Sequence, residues 1–175
     1  LRPNMKISVM GTGYVGLVTG ATLAETGNQV TCLDILEAKI TELNQGKSPI
    51  FEPGLEKLIQ EGIRTGNLKG STDIENGIVE SDLTFICVGT PSEKDGSIDL
   101  NYIKSAASSI GRALRHKEKK HTVIVKSTVV PLTTEEIVLP ILVKKSGWKR
   151  EQIGVGMNPE FLKEGSAVKD AQEPD

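Results

Sequence analysis

One loop constrains this chain more than anything else in it. A short apolar run, Lys6-Ile7-Ser8-Val9-Met10, passes straight into Gly11-Thr12-Gly13-Tyr14-Val15-Gly16, and a helical apolar pattern begins immediately behind. Glycines at that spacing occur by chance in many chains, but between a β-rich run and a helix they have a mechanical meaning. Gly11 permits a tight turn, Gly13 allows another group to approach the bare main chain, and Gly16 lets the helix lie close to the strand. The unpaired N–H groups and the positive helix end then face outward together, a setting suited to a diphosphate.

Apolar runs over 29–34, 83–88, 122–127 and 153–157 repeat the first one at 6–10. Each is short, rich in Val and Ile, and nearly continuous, which is how strands covered on both faces read. Helical spacing fills the gaps over 14–26, 36–44, 54–64, 100–118 and 133–145. Gly27 stops the first of these, Pro53 precedes the third, and Pro140 should kink or split the last. The alternation predicts an α/β fold: a doubly wound, Rossmann-type, mostly parallel sheet with helices on both faces. One domain accounts for all 175 residues, and the polar tail from Lys169 to Asp175 ends without completing an element.

Composition removes several functional classes. With 21 Lys+Arg against 23 Asp+Glu and 3% aromatic residues, the chain lacks the basic excess and stacking platforms of a nucleic-acid binder. No apolar run approaches the ~20 residues that cross a bilayer, so no membrane partner is expected. The amino terminus lacks the apolar core of a secretion signal. Cys32 and Cys87 stand alone in apolar segments, and a reducing cytoplasm is the simplest setting. No metal site is expected. His116 and His121 belong to the run RALRHKEKKH, read as a solvated helix end carrying surface histidines. Glu93, Asp95 and Asp99 read as a polar turn, and Trp148 as a local packing residue.

Asp34, at the end of the second strand, stands where a carboxylate accepts hydrogen bonds from adenosine ribose hydroxyls. A 2′-phosphate there would meet like charge, an opposition of about 4 kcal/mol at ~4 Å and an effective dielectric near 20. The cofactor expected is therefore NAD rather than NADP, a preference that Lys39 in the next helix weakens a little. The plainer alternative makes the glycines packing residues and Asp34 a helix cap. Three more segments occupy predicted strand ends: Val88-Gly89-Thr90-Pro91-Ser92, Ser127-Thr128, and Asn158-Pro159-Glu160-Phe161-Leu162-Lys163-Glu164-Gly165. Ligands of open parallel sheets lie at such ends. Ser127 and Thr128 would present two hydroxyls to the cleft, or else cap the next helix. If a helix starts after Pro159, Glu160 and Glu164 share a face, and pairing with Lys163 or Lys169 is their alternative role.

With those residues identified, the chain resembles the amino-terminal domain of the UDP-glucose/GDP-mannose dehydrogenase family. The matching stretches are GTGYVGLVTGATLAETGNQVTCLDI, LNQGKSPIFEPGLEKLI, ESDLTFICVGTPSEKDGSIDLNYI, VKSTVVPLTT and GMNPEFLKEGSAVKD. The resemblance implies oxidation of a nucleotide-linked sugar at C6 from alcohol to carboxylate with two NAD molecules in succession. UDP-glucose is the substrate it favours, with GDP-mannose second. It implies that Gly11 to Gly16, Asp34, Lys39, Val88 to Ser92, Ser127, Thr128 and Glu164 contact NAD, and that the Glu160–Glu164 segment lies at the sugar. It gives Glu160 the acid/base role in hydrolysing a covalent intermediate and makes Thr128 an orienter of water. The family's cysteine nucleophile belongs to a later domain, with a supporting lysine and asparagine on a connecting helix, and neither Cys32 nor Cys87 matches it. The chain is thus expected to be an NAD-binding fragment, 1–175, inactive alone, whose homodimer forms through a central helix beyond it. One further departure is Val130-Pro131-Leu132, where family members often carry Pro followed by Gly.

Overall fold

Period-two alternation sends Ile7 and Val9 of the first strand, β1 (Lys6–Met10), into one apolar layer and Met10 into the opposite one. In the computed structural model, which describes residues 4–173, the chain continues through α1 (Tyr14–Glu25), β2 (Gln29–Leu33), α2 (Glu37–Asn44) and α3 (Leu55–Thr65). Then come β3 (Leu68–Ser71), α4 (Ile74–Val79), β4 (Leu83–Ile86), α5 (Asn101–Ala113) and β5 (His121–Val125). A π-helical turn (Thr133–Val138), α6 (Leu139–Ser146), β6 (Ile153–Met157) and α7 (Ala167–Gln172) complete the order. Residues 1–3 and 174–175, the two ends of the expected domain, lie outside the described residues.

The strands form one all-parallel sheet in the order β3-β2-β1-β4-β5-β6. Leu17 and Val18 of α1, Leu55 and Ile59 of α3, and Ala167 of α7 build the core on one face. Ile78 of α4, Ile103 and Ile110 of α5, and Leu142 of α6 build it on the other. The doubly wound expectation is met, with an extra strand and two extra helices. β3 (LKGS) holds a single large apolar side chain and pairs only with β2, so it leaves no apolar run to read. α4 is six residues long and is fixed by Asp73, whose carboxylate accepts the Asn76 N–H at 3.0 Å. α7 takes up most of the polar tail that was read as unfinished.

Two other readings are corrected, and the expected break at Pro140 is met. β5 and β6 are not covered on both faces, since Thr122 and Gly154 are exposed. The 133–145 helix divides at Pro140, which sits in the first turn of α6 behind the wider π-helical turn; proline has no N–H to continue the earlier ladder. Leu132, at the start of that turn, has φ 70, the left-handed conformation that glycine adopts without cost. Finally, His121 is no surface residue. It is 1% exposed, and its Nε2 lies 2.8 Å from the Thr84 hydroxyl, which in turn lies 2.6 Å from that of Ser8. β1, β4 and β5 thereby share one chain of buried polar groups. His116, by contrast, is exposed beside Glu75 at 3.5 Å.

Candidate dinucleotide site

The sheet order reverses at β1, whose neighbours are β2 on one side and β4 on the other. The loops that follow β1 and β4 therefore leave the sheet in opposite directions and open a crevice between them. Gly11 turns the chain there with φ 100, and a Cβ on it would lie 2.6 Å from the Cys87 carbonyl oxygen. A Cβ on Gly16 would lie 1.8 Å from the Gly11 carbonyl oxygen, so α1 reaches its place only because that position is bare. Gly13, which precedes α1, is different: a Cβ there meets nothing within 4 Å. The helix start carries no side-chain cap and no acid in its first turn. Its field and free N–H groups are thus directed at open space, as an anion requires.

That space is a cleft of about 480 Å³. Gly11, Thr12 and Gly13 form its floor, Asp34, Ile35, Leu36 and Lys39 one wall, and Val88, Gly89 and Tyr102 the other. Asp34 is held rigidly. Its Oδ2 accepts the Thr12 N–H at 2.9 Å and the Thr12 hydroxyl at 2.6 Å, and its Oδ1 accepts the Leu36 N–H at 3.0 Å. Lys39 Nζ stands 3.9 Å away. Partial burial works to raise the Asp34 pKa, but the Thr12 hydroxyl and N–H, the Leu36 N–H and Lys39 outweigh it and hold the group below the usual carboxylate range. The helix-cap reading of Asp34 is not met, since Leu36 precedes α2 with no side-chain cap; Asp34 instead ties down the chain at Leu36 and presents a fixed anion at the rim.

The remaining predicted residues divide. Val88 and Gly89 line the cleft, whereas Thr90, Pro91 and Ser92 lead into an exposed loop closed by the Asp99 N–H donating to the Pro91 carbonyl at 2.8 Å. Ser127 does not face the cleft. It is 4% exposed and donates to the Val88 carbonyl at 2.7 Å, and no helix follows it closely enough to be capped. Thr128 is exposed. Residues 158–163 form neither helix nor strand and 164–166 make a turn ahead of α7, so Glu160 and Glu164 share no helical face. Glu160 turns inward and accepts the Leu162 N–H, while Phe161, Lys163 and Glu164 are exposed and Leu162 is half-buried.

Two residues of this region were missed in the sequence. Lys126, directly after β5, donates to Asn158 Oδ1 at 2.7 Å and stands 3.5 Å from Glu160 Oε2, both side chains being more than four-fifths buried. Glu52 is 5% exposed, and its Oε2 accepts the Tyr14 hydroxyl at 2.5 Å and the Gly165 N–H at 2.8 Å. Burial alone would raise Glu52, but Tyr14 and the N–H groups of Gly165, Val168 and Ala167 hold it below the ordinary value. Burial and that same carboxylate push Tyr14 up to about 12. The signals were an acid placed before Pro-Gly and a lysine placed at a strand end. Each can be read as a surface charge when no partner is in view.

Among the described residues, no helix is long and apolar enough to cross a membrane, and no group of three His, Cys, Asp or Glu is placed to hold a metal ion. The sequence pattern of the UDP-glucose/GDP-mannose dehydrogenase family, NAD binding domain, matches residues 5–175. The chain belongs to that family. Its GDP-mannose 6-dehydrogenase member from Pseudomonas aeruginosa is 49% identical over 171 residues, which is 97% of this chain and 39% of that protein. A UDP-glucose 6-dehydrogenase from Haloferax volcanii is 44% identical over 173 residues, 98% of this chain and 40% of that one. A crystal structure of a ternary complex of the Pseudomonas aeruginosa GDP-mannose dehydrogenase superimposes with a TM-score of 0.95 at 49% identity, covering 97% of this chain and 39% of that one. The chain thus spans about two-fifths of the length of these relatives. Its fold is that of the family's NAD-binding domain, and the residues around the cleft fit that cofactor: an open glycine cradle, a helix start, and an anion at the rim.

Proposed function

We propose that residues 1–175 are the NAD-binding part of a nucleotide-sugar 6-dehydrogenase that oxidises the C6 alcohol to a carboxylate. The observation that carries this reading is the bare helix start at Gly13, facing a cleft whose rim is the fixed Asp34 carboxylate. NAD, when bound, accepts hydride. The chain's own residues hold and orient: the main chain of Gly11 to Gly16 takes the diphosphate, and Asp34, beside Lys39, takes a ribose. Val88, Gly89, Thr90, Pro91 and Ser92 flank the cofactor. Ser127 braces the Val88 end, and Thr128 and Glu164 face the reacting end. Glu160 serves as acid/base toward the water that releases the product, with Thr128 orienting that water. Lys126 keeps the Glu160 carboxylate turned inward toward Asn158. Phe161, Leu162 and Lys163 lie at the sugar.

Of the two nucleotide sugars, GDP-mannose is now the better supported, because the higher identity is to the enzyme bearing that name; UDP-glucose is the second reading. By itself the chain is expected to bind NAD without turnover. Burial pushes the Cys32 thiol up to about 12, and burial likewise raises Cys87, so neither supplies a thiolate for covalent capture of an aldehyde. Mixing the chain with NAD and either sugar nucleotide should give no NADH absorbance; appreciable formation would refute its dependence on a nucleophile elsewhere. An enzyme of the relatives' length built on this domain should oxidise GDP-mannose with the higher kcat/KM, and the reverse order would restore UDP-glucose.

Calorimetric titration tests the cofactor site. NAD should bind at least about 10-fold more tightly than NADP, and Asp34→Ala should weaken NAD by a similar factor while narrowing the preference. Unchanged affinities for both dinucleotides would remove Asp34 from the role.

A further inference from the structure

Glu52 joins three segments that are distant in sequence. Tyr14, the first residue of α1, stands directly behind the glycine turn; Gly165 directly follows Glu164; and Glu52 lies on the connection between α2 and α3. A single carboxylate oxygen, Oε2, accepts from both Tyr14 and Gly165, and the carboxylate as a whole is buried. Its other oxygen is also buried, with no close hydrogen-bond partner among the described residues, and the Val168 and Ala167 N–H groups of α7 further favour the charged carboxylate. A buried anion is costly to move away from any of the donors that hold it. Besides Glu52, the Tyr14 hydroxyl lies 3.5 Å from the Lys163 carbonyl oxygen, so it stands against the 160–166 segment, while Gly13 beside it forms the floor of the cleft.

We propose that Glu52 is a positioning residue which couples occupancy of the glycine turn to the order of the 160–166 segment. The inference rests on the reading of that turn as the diphosphate site. Its physical content is entropic. An anion bound to the N–H groups at the start of α1 fixes the first turn, and Tyr14 with it. Holding the Tyr14 hydroxyl on Glu52 then costs less freedom, and the Gly165 N–H is held on the same oxygen. The segment carrying Glu160 and Glu164 becomes more ordered when the dinucleotide is present, beyond what Glu164 gains by facing its reacting end.

Amide hydrogen exchange resolves this, because it reports on the segment and on the turn separately. In the unaltered chain, saturating NAD should slow exchange over 11–17 and, by about 5-fold or more, over 160–166. In Tyr14→Phe, again saturated with NAD, slowing over 11–17 should persist while slowing over 160–166 falls by at least about half. Glu52→Ala should behave in the same way, and Glu52→Gln, whose amide oxygen can still accept from both donors, should restore part of the effect. Should Glu52→Ala fail to fold, Tyr14→Phe and Glu52→Gln decide alone. A merely structural Glu52 would speed exchange of the segment equally with and without NAD, and that result overturns the coupling. NAD-dependent slowing over 160–166 that survives undiminished in Tyr14→Phe also overturns it, since the segment would then be ordered by direct contact alone. Absence of slowing over 11–17 in the unaltered chain overturns the dinucleotide reading and the coupling with it.

Discussion

Gly16→Ala is expected to weaken dinucleotide binding severely and to cost a substantial part of the fold's stability. The added methyl would sit 1.8 Å from the Gly11 carbonyl oxygen and 3.3 Å from the Cys87 Cβ. The first of these is main chain and cannot rotate aside. Gly11 has little room to retreat either, since even a Cβ built on it would lie 2.6 Å from the Cys87 carbonyl oxygen. α1 must therefore move bodily off the sheet, opening the layer formed by Leu17, Val18 and Ala21. Overpacking of this kind costs about 1–3 kcal/mol, a large share of the 5–15 kcal/mol by which domains are typically stable. A displacement near 1 Å at the helix start should lower NAD affinity by about 100-fold. Gly13→Ala is the contrast. Gly13 has φ -80, and a Cβ there meets no protein atom within 4 Å, so the methyl would enter only the space meant for ligand. Thermal unfolding should be nearly unchanged in Gly13→Ala while NAD binding falls. Circular dichroism melting with calorimetric titration of both variants checks the pair, and a Gly16→Ala chain that melts and binds normally would contradict the packing argument.

The second large effect is loss of stability in mild acid through His121. Burial is the main cause, aided by the charge of Lys117, that lowers its pKa to about 4, against an ordinary 6.5. The Ser81 carbonyl and Asp82 oppose the shift without cancelling it. The folded chain therefore keeps His121 neutral at pH values where the unfolded chain has taken up a proton. Stability is full above pH 6.5 and falls as the pH is lowered toward 4, by about 3 kcal/mol in all and with a slope near one proton. Urea unfolding between pH 7 and pH 4 should show this decline, and His121→Gln should flatten it. A wild-type profile that is level across that window would mean that the imidazole protonates without penalty.

How far the sequence carried can be argued from particular residues. The β1–glycine turn–α1–β2 unit was legible because its signals are local: a strand, three glycines and a helix follow one another directly, and each glycine's role depends on neighbours within a few positions. The same locality revealed Ile103, Ala106, Ala107 and Ile110, all buried along one side of α5. What was missed depends on partners far along the chain. His121 looked like the end of a basic run, because Thr84 and Ser8 become its neighbours only when β1, β4 and β5 align. Glu52 and Lys126 read as ordinary charges until Tyr14, Gly165, Asn158 and Glu160 were brought around them. A helix after Pro159 was a fair reading of a Glu-Lys-Glu pattern. In the fold the Glu160 side chain instead bonds its own segment at the Leu162 N–H and faces Lys126, and no helix forms before Ala167. β3 was illegible because its place is set by the sheet edge it completes rather than by its own composition.

The interior hydroxyls of Ser8 and Thr84 have a bearing on assembly as well as on acid tolerance. In an oily sheet, neighbouring strands could slide past one another by two residues and still bury similar side chains. Here such a misalignment would leave Ser8, Thr84 and the imidazole each facing hydrocarbon, so the polar trio acts as a key that admits a single seating of the central strands. The glycine turn and the loop after β4 arrive at the same height because of it, and a crevice shaped for two nucleotides can form between them.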